Sequence, residues 1–363
     1  MTIPEIHKKK MNATRVLGFS SAAGKTGVVP KGSHFARRPV YYSCSLSSWF
    51  RLPEQGMPTY EVLSRASCFR TPWRKRMSQH SSSSSLLPKH HIIGSAHVTH
   101  PFLWPKYYPQ EWLRFVQEEH TLYKLEFREL ETGRVLLECP LKRKAYRHPT
   151  ADLVVLHLED EAAAECDLHR VGIDFVSVPL NLSDLEKDQQ LSFDGHWVNY
   201  NLIETSAPTL EQQQQEQQVP HIAFGHHRFH MGEKGFARTE REALPMGMCG
   251  GPVLNSRLEC VGVVEGVVNP PPPLARATTR AGLFLGEEGG SSEEKEELWR
   301  MLNDIQGNAV YLTSSLVAEF LERVEEEYVA TKTSNKQEEE VMTEEKERKA
   351  KERAAAAWKD LIL

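Results

Sequence analysis

Two adjacent glycines, Gly250 and Gly251, stand between Cys249 and the apolar run Pro252-Val253-Leu254. Glycines free of a β-carbon let the chain turn tightly and let other backbone come close. The run that follows reads as a strand, Asn255-Ser256 as a turn, and Cys260–Val268 as a returning strand. The pattern therefore predicts a hairpin with a cysteine held on a tight turn at its head. The N–H groups of Gly247 and Cys249 are then candidates to donate to a developing oxyanion. A peptide would lie along the second strand near Val263–Gly266.

Similar short β-rich runs recur from about His91 onward: Leu122–Leu130, Arg134–Cys139, Leu153–Leu158, Phe175–Pro179, His221–Phe224 and Ala309–Leu312. Many short strands separated by turn residues predict an antiparallel all-β barrel or sandwich. Ser314–Glu327 differs, with Leu316, Val317, Phe320, Leu321 and Val324 at helical spacing, and predicts an amphipathic helix. Beyond Thr331 the chain is nearly all charge, with Glu345 and Lys349 among its i,i+4 pairs, and Trp358 near the end. Residues 328–363 are expected to form a charged helical or disordered tail, offering a surface for a protein partner.

The first 80 residues contain fourteen Lys or Arg against three acids, Glu5, Glu54 and Glu61, and are rich in serine. Scarce acids with abundant Arg and Ser mark an organelle transit segment, mitochondrial or plastid. The same composition suits a plain basic extension, and Pro4 and Glu5 interrupt any amphipathic helix at the very start. The serine run Ser81–Ser85 reads as a linker, so the expected division is an extension over 1–85 and a folded domain over 88–327. The glutamine-rich stretch 212–218, Pro270–Pro273 and residues 285–298 read as surface segments.

The net charge of -5 argues against a basic nucleic-acid-binding surface. No apolar run approaches the ~20 residues of a membrane span. The six cysteines form no CxxC pair and suggest neither a disulfide framework nor a zinc site, so a reducing, non-secreted compartment is expected, cytoplasmic if not an organelle.

Gly247-Met248-Cys249-Gly250-Gly251-Pro252-Val253 resembles the Gly-x-Ser-Gly-Gly-Pro signature of trypsin/chymotrypsin-like peptidases, with cysteine in place of serine. The resemblance continues in chain order. Ser95-Ala96-His97-Val98 is similar to the family's histidine segment, and Ala151-Asp152-Leu153-Val154-Val155-Leu156 to its aspartate strand. The resemblance spans roughly residues 90–327 and implies a chymotrypsin-like double β-barrel with a C-terminal helix. It implies a Cys249–His97–Asp152 triad hydrolysing peptide bonds, an oxyanion hole at Gly247 and Cys249, and no cofactor or metal. It places the primary pocket near Ala243, with Val263, Val264 and Glu265 lining the substrate. A silent peptidase-like module that binds peptides or a partner is the other reading.

Rival residues have plainer roles. His100 competes with His97 as base; His148 reads as a surface-loop residue and His157 as pointing away from the core. Asp160 and Asp167 read as solvated acids, and Cys260 as a small buried side chain. His226, His227 and His230 have the spacing of one helix face, but lie in sequence that looks like strand and turn, without a carboxylate motif for a metal. No histidine follows His230, which removes the glutamine specificity that viral cysteine peptidases obtain from a histidine after the nucleophile.

Overall fold

A computed structural model describes residues 39–74, 88–105, 108, 110–198, 218–240, 243–268 and 305–361. Residues 1–37 form a unit of their own, outside the described residues; the rest, from Arg38, is a second unit. Most of the expected N-terminal segment, together with Ser81–Ser85, residues 212–217, Pro270–Pro273 and 285–298, also lies outside the described residues.

Within the second unit two antiparallel sheets follow one another. The first is built from β2 (Cys44–Leu52), β3 (Met57–Pro72), β4 (His90–Gly94), β5 (Thr121–Arg128), β6 (Val135–Pro140), β7 (Tyr146–Arg147) and β8 (Val154–Leu156). Its spatial order is β6-β5-β2-β3-β4-β8-β7. The second is a closed six-stranded barrel of β10 (Gln190–Val198), β11 (Gln218–Met231), β12 (Lys234–Thr239), β13 (Pro252–Leu254), β14 (Cys260–Val267) and β15 (Ala309–Thr313), in the order β10-β11-β12-β15-β14-β13. The two-residue strands β1 (Val40–Tyr41) and β9 (Asp174–Phe175) pair in parallel outside both.

The sheets obey one pairing rule. In the barrel the first strand pairs with the second and fourth, the third with the sixth, and the fifth with the fourth and sixth. If β6 and β7 are taken as one interrupted strand, the first sheet repeats that order. It is not closed, however: β6 and β7 are its edges, and a single bridge, Leu141 to Leu158, joins the end of one to the neighbour of the other. Of the two barrels expected, one is a closed barrel and the other is an open seven-stranded sheet.

The expected boundary near residue 85 is displaced. Residues 44–72 form two central strands, with β2 hydrogen-bonded between β3 and β5. Their serines made the segment look unstructured, yet Ser45, Ser47, Ser48 and Ser67 are all fully buried. Ser45 donates to the Gln218 side chain at 2.5 Å, and Ser48 to the Val98 carbonyl at 2.6 Å. Buried hydroxyls are tolerated because each finds a partner.

Period-2 alternation builds the cores. On β4, Ile92 faces the interior of the first sheet, while Ile93 joins an apolar layer beneath the C-terminal helix. On β8, Val154 and Leu156 face inward and Val155 faces the helix layer. Leu191, Phe193, Ala237, Val253, Val264 and Tyr311 fill the barrel. Two further helices complete the framework. The first, α1 (Ala96–Thr99), is a single turn after β4, and α2 (Glu161–Val171) is capped by the Asp160 carboxylate on the Ala163 N–H. The C-terminal helix α3 runs over Ser314–Leu361. All five expected apolar positions, Leu316, Val317, Phe320, Leu321 and Val324, are buried. Along its charged stretch Glu345 pairs with Lys349 at 2.7 Å. No helix among the described residues is long and apolar enough to cross a membrane.

Candidate active site

The short helix α1 begins with His97 as its second residue, so the backbone N–H of His97 has no partner within the helix. The Asp152 carboxylate supplies one. Its Oδ1 accepts the His97 backbone N–H at 2.8 Å, and its Oδ2 lies 2.5 Å from His97 Nδ1. One carboxylate therefore fixes both the backbone and the ring of the same residue. It orients the imidazole and assigns the proton to Nδ1, leaving Nε2 as the acceptor. Both groups are mostly covered, with side chains 15% and 7% exposed.

The loop that presents Asp152 is held from behind by His148, expected on the surface but buried at 4% exposure. Its Nδ1 accepts the Ala151 N–H at 2.9 Å, and its ring stands edge-on to Phe320 of α3. His157 is also displaced from its expected place. Both faces of β8 are covered, and His157 is buried, 2.9 Å from His91, which in turn meets Glu325 of α3 at 3.0 Å. Burial and the neighbouring His91 and Lys142 push His157 down to about 2. His100 is fully buried against Thr99 and Glu118, away from the Asp152 carboxylate. Asp160 is taken up in capping α2, and Asp167 pairs with Arg170.

Cys249 arrives from the barrel. Gly247 and Gly250 take positive φ, 97° and 83°. A β-carbon at Gly247 would stand 2.7 Å from the His196 carbonyl; one at Gly250 would stand 2.3 Å from the Ser67 carbonyl and 2.8 Å from the Ser95 nitrogen. The glycines are therefore required for contact as well as for conformation. They let the turn lie directly on Gly94-Ser95, two residues before His97. Among the described residues the N–H groups of Gly247 and Cys249 make no backbone–backbone hydrogen bond, whereas the Gly250 N–H is used by the Val264 carbonyl. The Cys249 thiol donates to the Glu265 carbonyl at 3.3 Å. Burial, reinforced by the charges of Asp152 and Glu265, pushes it up to about 12.

Ser67, which the sequence did not single out, clamps this turn. Its N–H donates to the Cys249 carbonyl at 3.0 Å and its hydroxyl to the Gly247 carbonyl at 2.7 Å. The same hydroxyl accepts the His196 N–H at 2.8 Å. A serine among other serines gives no sequence signal of such a role.

The expected substrate-lining residues are partly reassigned. Ala243 is exposed, because its neighbour Leu244 turns into the barrel core, and an exposed residue does not floor a pocket. Val263 and Val264 are buried on opposite sides of β14, and the Val264 N–H and carbonyl are both used by the Gly250–Gly251 turn. Glu265 differs. The register slips there against β15, so its carbonyl is turned to Cys249, and its side chain pairs with Lys234 at 2.7 Å. A β-carbon on the next residue, Gly266, would meet nothing within 4 Å, so the space beside that backbone is open.

His226, His227 and His230 lie on β11 and not on a helix, and His227 is bonded to the Tyr311 hydroxyl at 2.9 Å. Among the described residues no group of three or more His, Cys, Asp or Glu is placed to hold a metal ion. No family model matches the chain, and no curated protein matches its sequence.

Proposed function

We propose that this chain is a chymotrypsin-like peptidase whose two sheets are the halves of a double barrel and whose nucleophile is Cys249. The observation that carries the reading is the double hold of Asp152 on His97, with the glycine turn that bears Cys249 packed against Gly94-Ser95, two residues before that histidine.

The chemistry follows from the resting state. The thiol is protonated, so the nucleophile is made during attack rather than stored as an ion pair. His97 Nε2 takes the thiol proton as sulfur bonds to the peptide carbonyl carbon. The oxyanion accepts from Gly247 and Cys249 N–H. Collapse breaks the C–N bond, His97 hands its proton to the departing amine, and a thioester remains. Water, deprotonated by the same Nε2, attacks the thioester and releases the acid and the thiol.

The thiol's bond to the Glu265 carbonyl favours a second reading, a silent module that binds peptides along Glu265–Gly266 without cutting them. A diverse peptide library incubated with the full chain and with Cys249→Ala, read by mass spectrometry, separates the two. Cleavage that vanishes in the variant is expected of the peptidase; no cleavage by a folded wild type leaves the silent module.

A further inference from the structure

The stretch after His97 is unusually aromatic. Residues 101–116 hold Phe102, Trp104, Tyr107, Tyr108, Trp112 and Phe115. Two of these rings stand at His97: Trp104 with its centroid 6.3 Å away and Tyr108 at 6.4 Å. Tyr108 is fixed there by its hydroxyl, 2.8 Å from Ser64 Oγ on β3. Tyr108 also borders a cleft of about 250 Å³ whose walls are Met57, Val62 and Leu63 of β3 and Trp112 and Leu113 of this aromatic stretch. Trp112 is stacked on Phe50 at 4.8 Å yet stays 37% exposed, so the cleft opens to solvent with an apolar wall already in place.

Its position relative to the thiol is defined by β3. Ser67 bonds the Cys249 carbonyl, and Leu63 lies four residues earlier on the same strand, ~13 Å away at ~3.3 Å per residue. The side is defined by chemistry. A base that returns its proton to the departing amine must have the leaving half of the substrate passing over it. Tyr108, beside His97, is therefore on the leaving-group side.

We propose that this cleft takes one large apolar side chain, aromatic or leucine-like, two to four residues beyond the scissile bond. The chain is then a peptidase that selects its substrates on the leaving-group side. The inference rests on the peptidase reading above. The volume fits a single bulky side chain and is below that of a typical small-molecule site. Glu61 at the rim disfavours an acidic occupant.

The test uses the full chain and matched peptides carrying Phe or Ala at each of those positions. The expected result is a ten- to hundredfold preference in kcat/KM for Phe at one position, in the range a hydrophobic pocket supplies. In Trp112→Ala the Phe-to-Ala ratio falls at least tenfold, and in Trp112→Phe, which keeps the stack, it is largely restored. A ratio near one in the wild type, or an unchanged ratio in Trp112→Ala, overturns the proposal. If no peptide is cut, the peptidase reading fails separately. The cleft is then tested by titrating the same peptides against Trp fluorescence of Cys249→Ala, and equal binding of the Phe and Ala peptides overturns it. Dimers in sedimentation that exclude the peptide and dissolve in Trp112→Ala also overturn it, because a second copy then fills the cleft.

Discussion

Ser67 and Cys249 are joined across the two sheets: the Ser67 N–H donates to the Cys249 carbonyl at 3.0 Å, while the Ser67 hydroxyl holds the carbonyl of Gly247 two residues earlier. The turn that carries the thiol thus takes its shape from a strand of the other sheet. Ser67→Ala removes the hydroxyl and strands two polar groups, the part-buried Gly247 carbonyl and the buried His196 N–H. A stability loss of about 1–3 kcal/mol is expected. On the peptidase reading, a fall in kcat of tenfold or more with little change in KM should accompany it, because the proposed oxyanion donors would lose their aim and not the substrate its grip. Urea unfolding and steady-state kinetics check both, and a change confined to stability rejects the positioning role.

Thiol reactivity should report the resting state of Cys249. With the thiol held up to about 12, alkylation by iodoacetamide is expected to be slow at pH 7 and still rising above pH 9. The measurement needs a Cys166→Ser background, because Cys166 is the exposed thiol. A rate that levels off below pH 8 would mean a stored thiolate and would refute the base-assisted route.

Acid should weaken the fold before it protonates most carboxylates. His157 and His196 are pushed down by burial to about 2 and about 3, from 6.5 in the unfolded chain. Between those values and 6.5 the unfolded state binds the extra protons, so stability falls as pH drops through this window, by about 1.4 kcal/mol per pH unit for each group. Chemical denaturation at pH 7, 6 and 5 tests this; a flat profile contradicts it.

Asp194 works in the opposite direction. It is buried with Ser43 as its hydrogen-bond donor at 2.5 Å, and burial pushes it up to about 6 from 3.8. The folded state keeps its proton longer, so its contribution is present below pH 3.8 and lost as pH rises through about 6. Asp194→Asn keeps an acceptor for Ser43 and sheds the charge. It should gain up to about 3 kcal/mol at pH 8 and nearly nothing at pH 4, and should steepen the acid loss caused by the histidines. Equal effects at the two pH values would exclude this account.

The candidate site residues and the mostly β fold left different traces in the sequence. His97, Asp152 and Cys249 stand out because glycine turns and apolar strand starts leave a local pattern, and the first two prove to be hydrogen-bonded 55 residues apart. The apolar face of α3 was equally plain from its period. What stayed hidden depends on contacts distant in sequence. Ser45 and Ser67 read as part of a basic, serine-rich extension until Gln218 and Gly247 are brought against them. His148 and His157 looked exposed because nothing near them in sequence says that a helix beginning at Ser314 covers both. Ala243 failed as a pocket residue because a one-residue choice of which side chain turns inward fell to Leu244.

The division of the site between two sheets has a consequence in time. A chain made from its N-terminus completes β8, and with it the His97–Asp152 pair, some ninety residues before it reaches Cys249, and the turn needs Ser67 from the earlier sheet to take its shape. On the peptidase reading, a half-made chain owns a base without a nucleophile. It therefore stays harmless to itself and to its neighbours at the ribosome, and acquires the power to cut only as its barrel docks.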